Sequence, residues 1–241
     1  MATSVCVDSD YFDVGDDGRL TMVPGSLGLR EVLYFKEPGT HEFSKGSYPW
    51  LARVFVRVQA AGGGSAGARA NAAQFCASPG AAGGGYAERL VEASSLGATE
   101  TIVVGAGGAA GTPTVDGGPG GNSSFGGLCT ANGGNGGQVV MTSGDSLIAY
   151  SGTAGPLGGI GDITQGGGAG GGCFRLTGNQ GHSGPGGESR LGHGGFQRAS
   201  TGSGGAGRGW GGGAGGSCAR DGDTVNGTAG QDGVVILYLY A

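Results

Sequence analysis

The sequence predicts a mainly β protein with an irregular glycine-rich region. Short β-strands frame a bundle or sandwich of polyglycine-II-like segments, and α-helix is essentially absent. Three observations carry this. Glycine supplies 63 of the 241 residues, about a quarter, where an ordinary globular chain has about 7%. Each interior glycine costs a helix about 0.5–1 kcal/mol relative to alanine, so dozens of them exclude a helical protein. Glycine also recurs at every third position in short runs, and apolar stretches stand between and beside those runs.

The front of the chain is ordinary: residues 1–60 hold 6 glycines but 8 of the 17 aromatic residues. Asp16-Asp17-Gly18 reads as a turn before residues 19–23, and residues 37–40 as a turn before His41, Glu42 and Phe43. Arg53–Gln59 alternates, with Val54, Val56 and Val58 on one face, which marks a half-buried strand. Tyr86–Glu92 and residues 100–105 are predicted to form a hairpin around 93–97. Residues 139–141 and 147–150 are predicted to form another around 142–146. Residues 233–240 are predominantly apolar and predict a closing strand. Tyr86, Val103 and Ile236 are expected in the core, and Phe125 is expected to pack.

Residues 61–228 hold 55 of the glycines, close to one position in three. A collagen helix would need that period without interruption, and here the phase slips. The in-phase runs are Gly105, Gly108 and Gly111; Gly152, Gly155, Gly158 and Gly161; Gly178, Gly181, Gly184 and Gly187; Gly209, Gly212 and Gly215; and Gly227, Gly230 and Gly233. A polyproline-II-type helix has three residues per turn and rises about 3.1 Å per residue, so each run lines one face. Bare faces let neighbouring helices approach until backbone N–H···O=C and Cα–H···O contacts replace side-chain packing. Runs of nine to twelve residues would make rods of roughly 30 Å, with the phase slips as turns. A disordered glycine-rich linker is the alternative.

Several function classes are excluded at this level. Thirteen Lys+Arg against 18 Asp+Glu, a net charge of -5, leave no basic patch for nucleic acid. The longest apolar stretch, residues 234–240, is too short to span a bilayer, so no membrane insertion is expected. The opening residues lack the basic and apolar regions of a secretory signal. Five cysteines (Cys6, Cys76, Cys129, Cys173, Cys218) lie far apart, with no C-x-x-C and no histidine at ligand spacing, which reads as reduced, buried thiols rather than a zinc site. Gly105-x-Gly107-x-x-Ala110 imitates a dinucleotide fingerprint, but the residues that follow cannot start the helix that holds a pyrophosphate. The only lysines, Lys36 and Lys45, complete no phosphate loop, and neither H-E-x-x-H nor G-x-S-x-G is present. No cofactor, metal or catalytic residue is expected, and the protein reads as non-enzymatic.

The order of blocks resembles a known family. Pro38-Gly-Thr, Phe43, Trp50 and Val54-Phe-Val-Arg-Val58 run into Ala61-Gly-Gly-Gly64. Gly83-Gly-Gly-Tyr-Ala-Glu88, Thr101-Ile-Val-Val-Gly-Ala-Gly-Gly108, Gly121-Asn-Ser-Ser-Phe-Gly126 and Ala131-Asn-Gly-Gly134 follow. Glycine blocks at 166–172 and 211–216 then lead to Gly230-x-x-Gly233-Val-Val-Ile236 and Tyr238. This is similar to the glycine-rich domain of bacteriophage tail fibre and minor tail proteins, over roughly residues 36–241. The resemblance implies a virion component at the host-facing tail tip, assembled in the host cytoplasm. It would bind other phage tail proteins, form a homotrimer, and contribute to adsorption on a host cell-surface glycan or protein. Residues 1–35 would be an attachment or oligomerisation segment.

Glycine rods have featureless walls, so recognition would fall to side chains between runs. The receptor-contact candidates are Tyr150, Phe174, Phe196 and Trp210, whose rings can stack on a sugar. Arg175, Asn179, Gln180, His182, Arg198 and Arg208 stand near them in sequence and can bond hydroxyls. The same rings could instead fill small cores that cap the rods. The alternative function is an ice-binding polyglycine-II bundle, which would need one flat face of small residues.

Overall fold

A computed structural model describes residues 9–23 and 28–241; Cys6 and the opening residues read for a signal lie outside this range. The chain starts with the hairpin β1 (Phe12–Val14) and β2 (Leu20–Met22), then passes through β3 (Leu29–Phe35), β4 (Gly39–Ser44) and β5 (Arg53–Gln59). Residues 60–67 lead out to β6 (Ala68–Arg69) and β7 (Phe75–Ala77), and residues 78–85 return to β8 (Tyr86–Glu92). After β9 (Thr99–Val104), residues 105–121 go out and back to β10 (Ser123–Phe125) and β11 (Cys129–Ala131). Residues 132–137 run out toward β12 (Ile148–Tyr150), and residues 151–158 return to β13 (Ile163–Gln165). Residues 166–172 run out to β14 (Cys173–Thr177) and β15 (Gln180–His182), and 183–188 return to β16 (Gly192–His193). A short excursion ends at β17 (Arg208–Gly209). Residues 211–217 reach β18 (Cys218–Arg220) and β19 (Thr224–Val225), and 226–233 return to β20 (Val234–Tyr240). The helical turns among the described residues are two short 3₁₀ segments, Lys45–Ser47 and Ala93–Ser95.

One end of the molecule is a sandwich of two antiparallel sheets, β13-β8-β5-β20-β3 and β11-β10-β9-β4. Alternation sends Val54, Val56 and Val58 of β5, with Leu237 and Leu239 of β20, into a core closed by Phe43, Ile102 and Phe125. The closing strand is central in its sheet, between β5 and β3, and is buried on both faces, at Val234 and Ile236 on one and at Val235, Leu237 and Leu239 on the other, which explains its continuous apolar run. Tyr86 and Ile236 are buried as expected, though outside that core cluster, and Phe125 packs at 0% exposure. Val103 does not enter the core: β9 turns Ile102 and Val104 inward and leaves Val103 half-buried. β3, within the segment read as an attachment piece, pairs along β20.

The glycine-rich middle is a bundle of extended rods. Ala60 and Gly63 donate to Gly85 and Ala82 (both 2.9 Å), and Ala61 and Gly64 to Gly121 (3.1 Å) and Gly118 (2.9 Å). Gly62 and Ser65 donate to Gln231 (2.8 Å) and Thr228 (2.9 Å). Partners repeat at every third residue on three antiparallel neighbours, as three residues per turn demands. The carbonyls of Ala61 and Gly64 accept from Gly134 and Gly137, those of Gly62 and Ser65 from Gly108 and Gly111, and that of Gly63 from Ala214. Residues 60–67 are therefore surrounded by backbone on all sides. At 3.1 Å per residue this rod is about 25 Å long, shorter than the run-length estimate. Two of the in-phase runs face each other: Gly227, Gly230 and Gly233 donate to Gly111, Gly108 and Gly105 (2.9 Å each).

Other readings need correction. β8 and β9 are not a hairpin: β8 pairs with β5 and β13, β9 with β4 and β10. Residues 93–98 carry the chain from one sheet to the other, anchored by buried Leu96. Residues 139–141 form no strand, because Met141 is taken up in a second core, and β12 pairs with β14 instead. Gly178 and Gly181 belong to the β14–β15 hairpin rather than to a rod, and Gly209 lies in β17 at φ 74. The second core, at the far end of the rods, gathers Ala68, Phe75, Cys76, Ala77, Met141, Cys173, Cys218 and Ala219. Gln59, at 0% exposure, joins sandwich to bundle. Its Nε2 donates to the carbonyls of Ala60, Gly84 and Gly85, and its Oε1 accepts from Leu191 N–H.

Candidate functional site

Backbone occupies the interior of the bundle, so side-chain chemistry collects where rods end. At the end away from the sandwich, β14 alternates: Cys173 and Arg175 point into the second core, and Phe174 and Leu176 point out. β15 pairs with it and brings His182 opposite Phe174, their rings 5.7 Å apart. With Asn179, Gln180, Ala199 and Arg220 these residues line a distal cleft of about 310 Å³. The Nδ1 atom of His182 is buried there without a hydrogen-bond partner.

A second cleft, of about 320 Å³, runs along the side of the bundle between Pro185, Glu188, His193, Phe196 and Arg208. His193 Nδ1 meets Glu188 at 2.9 Å. The Arg198 guanidinium lies 4.9 Å from the Phe196 ring centre, and its Nε donates to Ser203 O at 2.8 Å. Residues 196–199 separate the two clefts, since Phe196 lines one and Ala199 the other. A larger concavity of about 640 Å³, between Ser44, Tyr48, Leu51 and Thr99, lies at the sandwich end and contains none of the receptor-contact candidates.

The sequence candidates therefore separate. Phe174 is assembled with Asn179, Gln180 and His182, and Phe196 with Arg198 and Arg208. Tyr150 is half-buried against the second core, where the capping alternative described it. Trp210 sits apart, toward the sandwich, its backbone bonded to Leu191 and to the Ser189 hydroxyl. Arg175 is not a surface contact. It is 4% exposed and its guanidinium donates to the carbonyls of Phe75 (3.1 Å), Thr142 (2.8 Å) and Ser146 (2.7 Å). Sequence reasoning missed Leu176 and Arg220 in the distal cleft, and Glu188 and His193 in the lateral one. The alternation of Cys173-Phe-Arg-Leu-Thr177 could have revealed Leu176; nothing local signals Arg220.

The remaining reactive groups are kept inert. Burial pushes the thiols of Cys129, Cys173 and Cys218 up to about 12, and that of Cys76 upward, so none is a thiolate near neutrality. Tyr86 is pushed up to about 12, by burial first and then by its hydrogen bond to the Glu88 carboxylate. Among the described residues, no group of three or more His, Cys, Asp or Glu side chains converges to hold a metal ion. No helix there is long and apolar enough to cross a membrane.

Comparison with known proteins adds one finding: a family model described as a glycine-rich domain matches residues 43–240. No curated protein matches the chain.

Proposed function

The chain belongs to the glycine-rich domain family, and from that premise we propose that it is a non-enzymatic structural protein of a bacteriophage tail tip that contributes to host adsorption. The observation that carries the reading is the polarity of the body. Gly28 and Ala241 meet at the sandwich end, the Ala241 N–H donating to Gly28 O at 3.1 Å. Phe174 and Leu176 stand exposed at the other end. A bundle whose walls are backbone makes a stiff spacer between an attachment end and a recognition end. In this reading the partners are other tail proteins, further copies of the chain in a homotrimer, and a host-surface glycan or protein.

Immunogold electron microscopy tests it. Antibody raised against the chain should mark the tail end of particles from the culture that expresses the gene, and purified tailed particles lacking the chain would overturn the reading. Deleting residues 150–220 would be uninformative, because they supply rods to the bundle; point substitutions at Phe174 and Phe196 are the appropriate adsorption variants. Thermal hysteresis in solutions of the purified chain would favour ice binding instead.

A further inference from the structure

The charge of this chain is unevenly placed. The whole carries -5, yet residues 163–220 contain Arg175, Arg190, Arg198, Arg208 and Arg220 with Glu188 as their one acidic residue. Arg175 is consumed by carbonyls. Among the described residues no carboxylate comes within 4.0 Å of the other four arginines, the ion pairs being Arg57–Glu88, Arg89–Asp162 and His193–Glu188. The acids next to Arg220 in sequence are engaged elsewhere. Asp221 accepts from Ala73 N–H at 3.0 Å, and Asp223 from the Thr201 hydroxyl at 2.7 Å.

We propose that the distal cleft binds an anionic saccharide, a hydroxyl-rich sugar bearing a carboxylate or a phosphodiester. This rests on the reading of that end as a recognition surface and names the ligand class. The half-exposed Phe174 ring offers an apolar platform for the C–H face of a sugar ring. Asn179 and Gln180 supply amides that both donate and accept, which is what hydroxyl groups require. Arg220 presents a planar fork suited to an oxyanion. His182 has a buried nitrogen with no partner, so its desolvation is uncompensated. A ligand hydroxyl that reached that nitrogen would satisfy it in either tautomer, since a hydroxyl both donates and accepts. The cleft, about 310 Å³, lies at the lower limit of the roughly 300–1,000 Å³ typical of ligand sites, which suits a terminal sugar rather than a long chain segment.

The test is isothermal titration of the full chain with an oligogalacturonate, with a phosphodiester-linked hexose oligomer, and with neutral maltopentaose. At least one anionic probe should bind, at least tenfold tighter than maltopentaose, and more weakly as salt is raised. Binding of the first alone identifies a sugar carboxylate, and of the second alone a sugar phosphodiester. Phe174→Ala and Arg220→Gln should each weaken binding tenfold or more with an unchanged circular dichroism spectrum. If Phe174→Ala does not fold, Arg220→Gln decides alone. Equal affinity for maltopentaose, no binding of either anionic probe, or full affinity in Arg220→Gln overturns the proposal. Tail-end immunogold label with no probe bound removes this ligand class and leaves the tail-tip reading standing. Absence of the chain from particles removes the tail-tip reading itself.

Discussion

A missing Cβ decides the structure wherever two rods touch. A Cβ built on Gly64 would lie 2.1 Å from Ala109 O and 2.6 Å from Gly108 O, both backbone atoms held by their own neighbours. One built on Gly127 would meet nothing within 4 Å, and that residue does not need a left-handed backbone. Gly64→Ala is expected to cost about 3 kcal/mol or more, as overpacking against immobile atoms does. Gly127→Ala should be neutral or stabilising by about 0.4–1 kcal/mol, through the unfolded chain. Urea denaturation measures both, and equal midpoints would refute the close-packed bundle. The thiols make a second residue-scale prediction. Cys129, Cys173 and Cys218 sit at about 12 when folded, against an ordinary value of 9.0. A raised folded value means the stability they contribute is complete below pH 9 and is lost as pH climbs toward 12. Tyr86, raised from 10.0 to about 12, acts with the same sign. The urea midpoint should hold steady from pH 6 to 8 and fall above pH 9; a constant midpoint up to pH 11 would contradict the buried, protonated thiols.

The rod is the element that sets this fold apart, and its cohesion is directional hydrogen bonding rather than side-chain burial. The amides of residues 61–65 and 81–84 all donate to neighbouring rods, while Asn179 N–H reaches only the Thr177 hydroxyl, at 3.3 Å in an exposed turn. Hydrogen exchange at the rod amides should be roughly a thousandfold slower than at Asn179, about 4 kcal/mol of opening free energy. Rates within tenfold of each other would return the middle region to a floppy linker. This element was legible in the sequence because the runs through Gly105 and Gly227 stayed in phase long enough to define a face. The pairing of the larger strands was less so. β8 and β9 looked like one hairpin because they are close in sequence, and only tertiary hydrogen bonding puts them in opposed sheets. Strands as short as β6, β7 and β18 carry too few residues for any period. The distal cleft was half legible for the same reason: Phe174, Asn179, Gln180 and His182 are neighbours in the chain, whereas Arg220 arrives from β18. Arg175 misled because a charged side chain argues for the surface, and its three carbonyl partners cannot be inferred from sequence.

Taken whole, the molecule is two small side-chain cores joined by backbone. Among the described residues the mid-section has no apolar cluster of its own, so each rod gains its stability from being anchored at both ends. Residues 60–67 connect β5 of the sandwich to β6 beside the second core, and residues 78–85 connect β7 back to β8. Melting either core would release the rod ends, and hydrogen bonds worth about 1 kcal/mol net apiece would then have to hold rods whose registers are no longer fixed. Unfolding should therefore be a single transition despite the separation of the cores. Each core has a natural reporter. Trp50 packs at the sandwich, its ring 5.7 Å from Tyr48 and 4.4 Å from the Arg30 guanidinium. Cys76, Cys173 and Cys218 are buried in the distal core. In a Trp210→Phe background, the fluorescence of Trp50 and the reactivity of the distal thiols should change at the same urea concentration. Thiols that react while Trp50 keeps its folded emission would mean that the far end opens independently. The rods would then be a tether, and the proposed recognition site at their tip would be presented by a mobile arm rather than a rigid one.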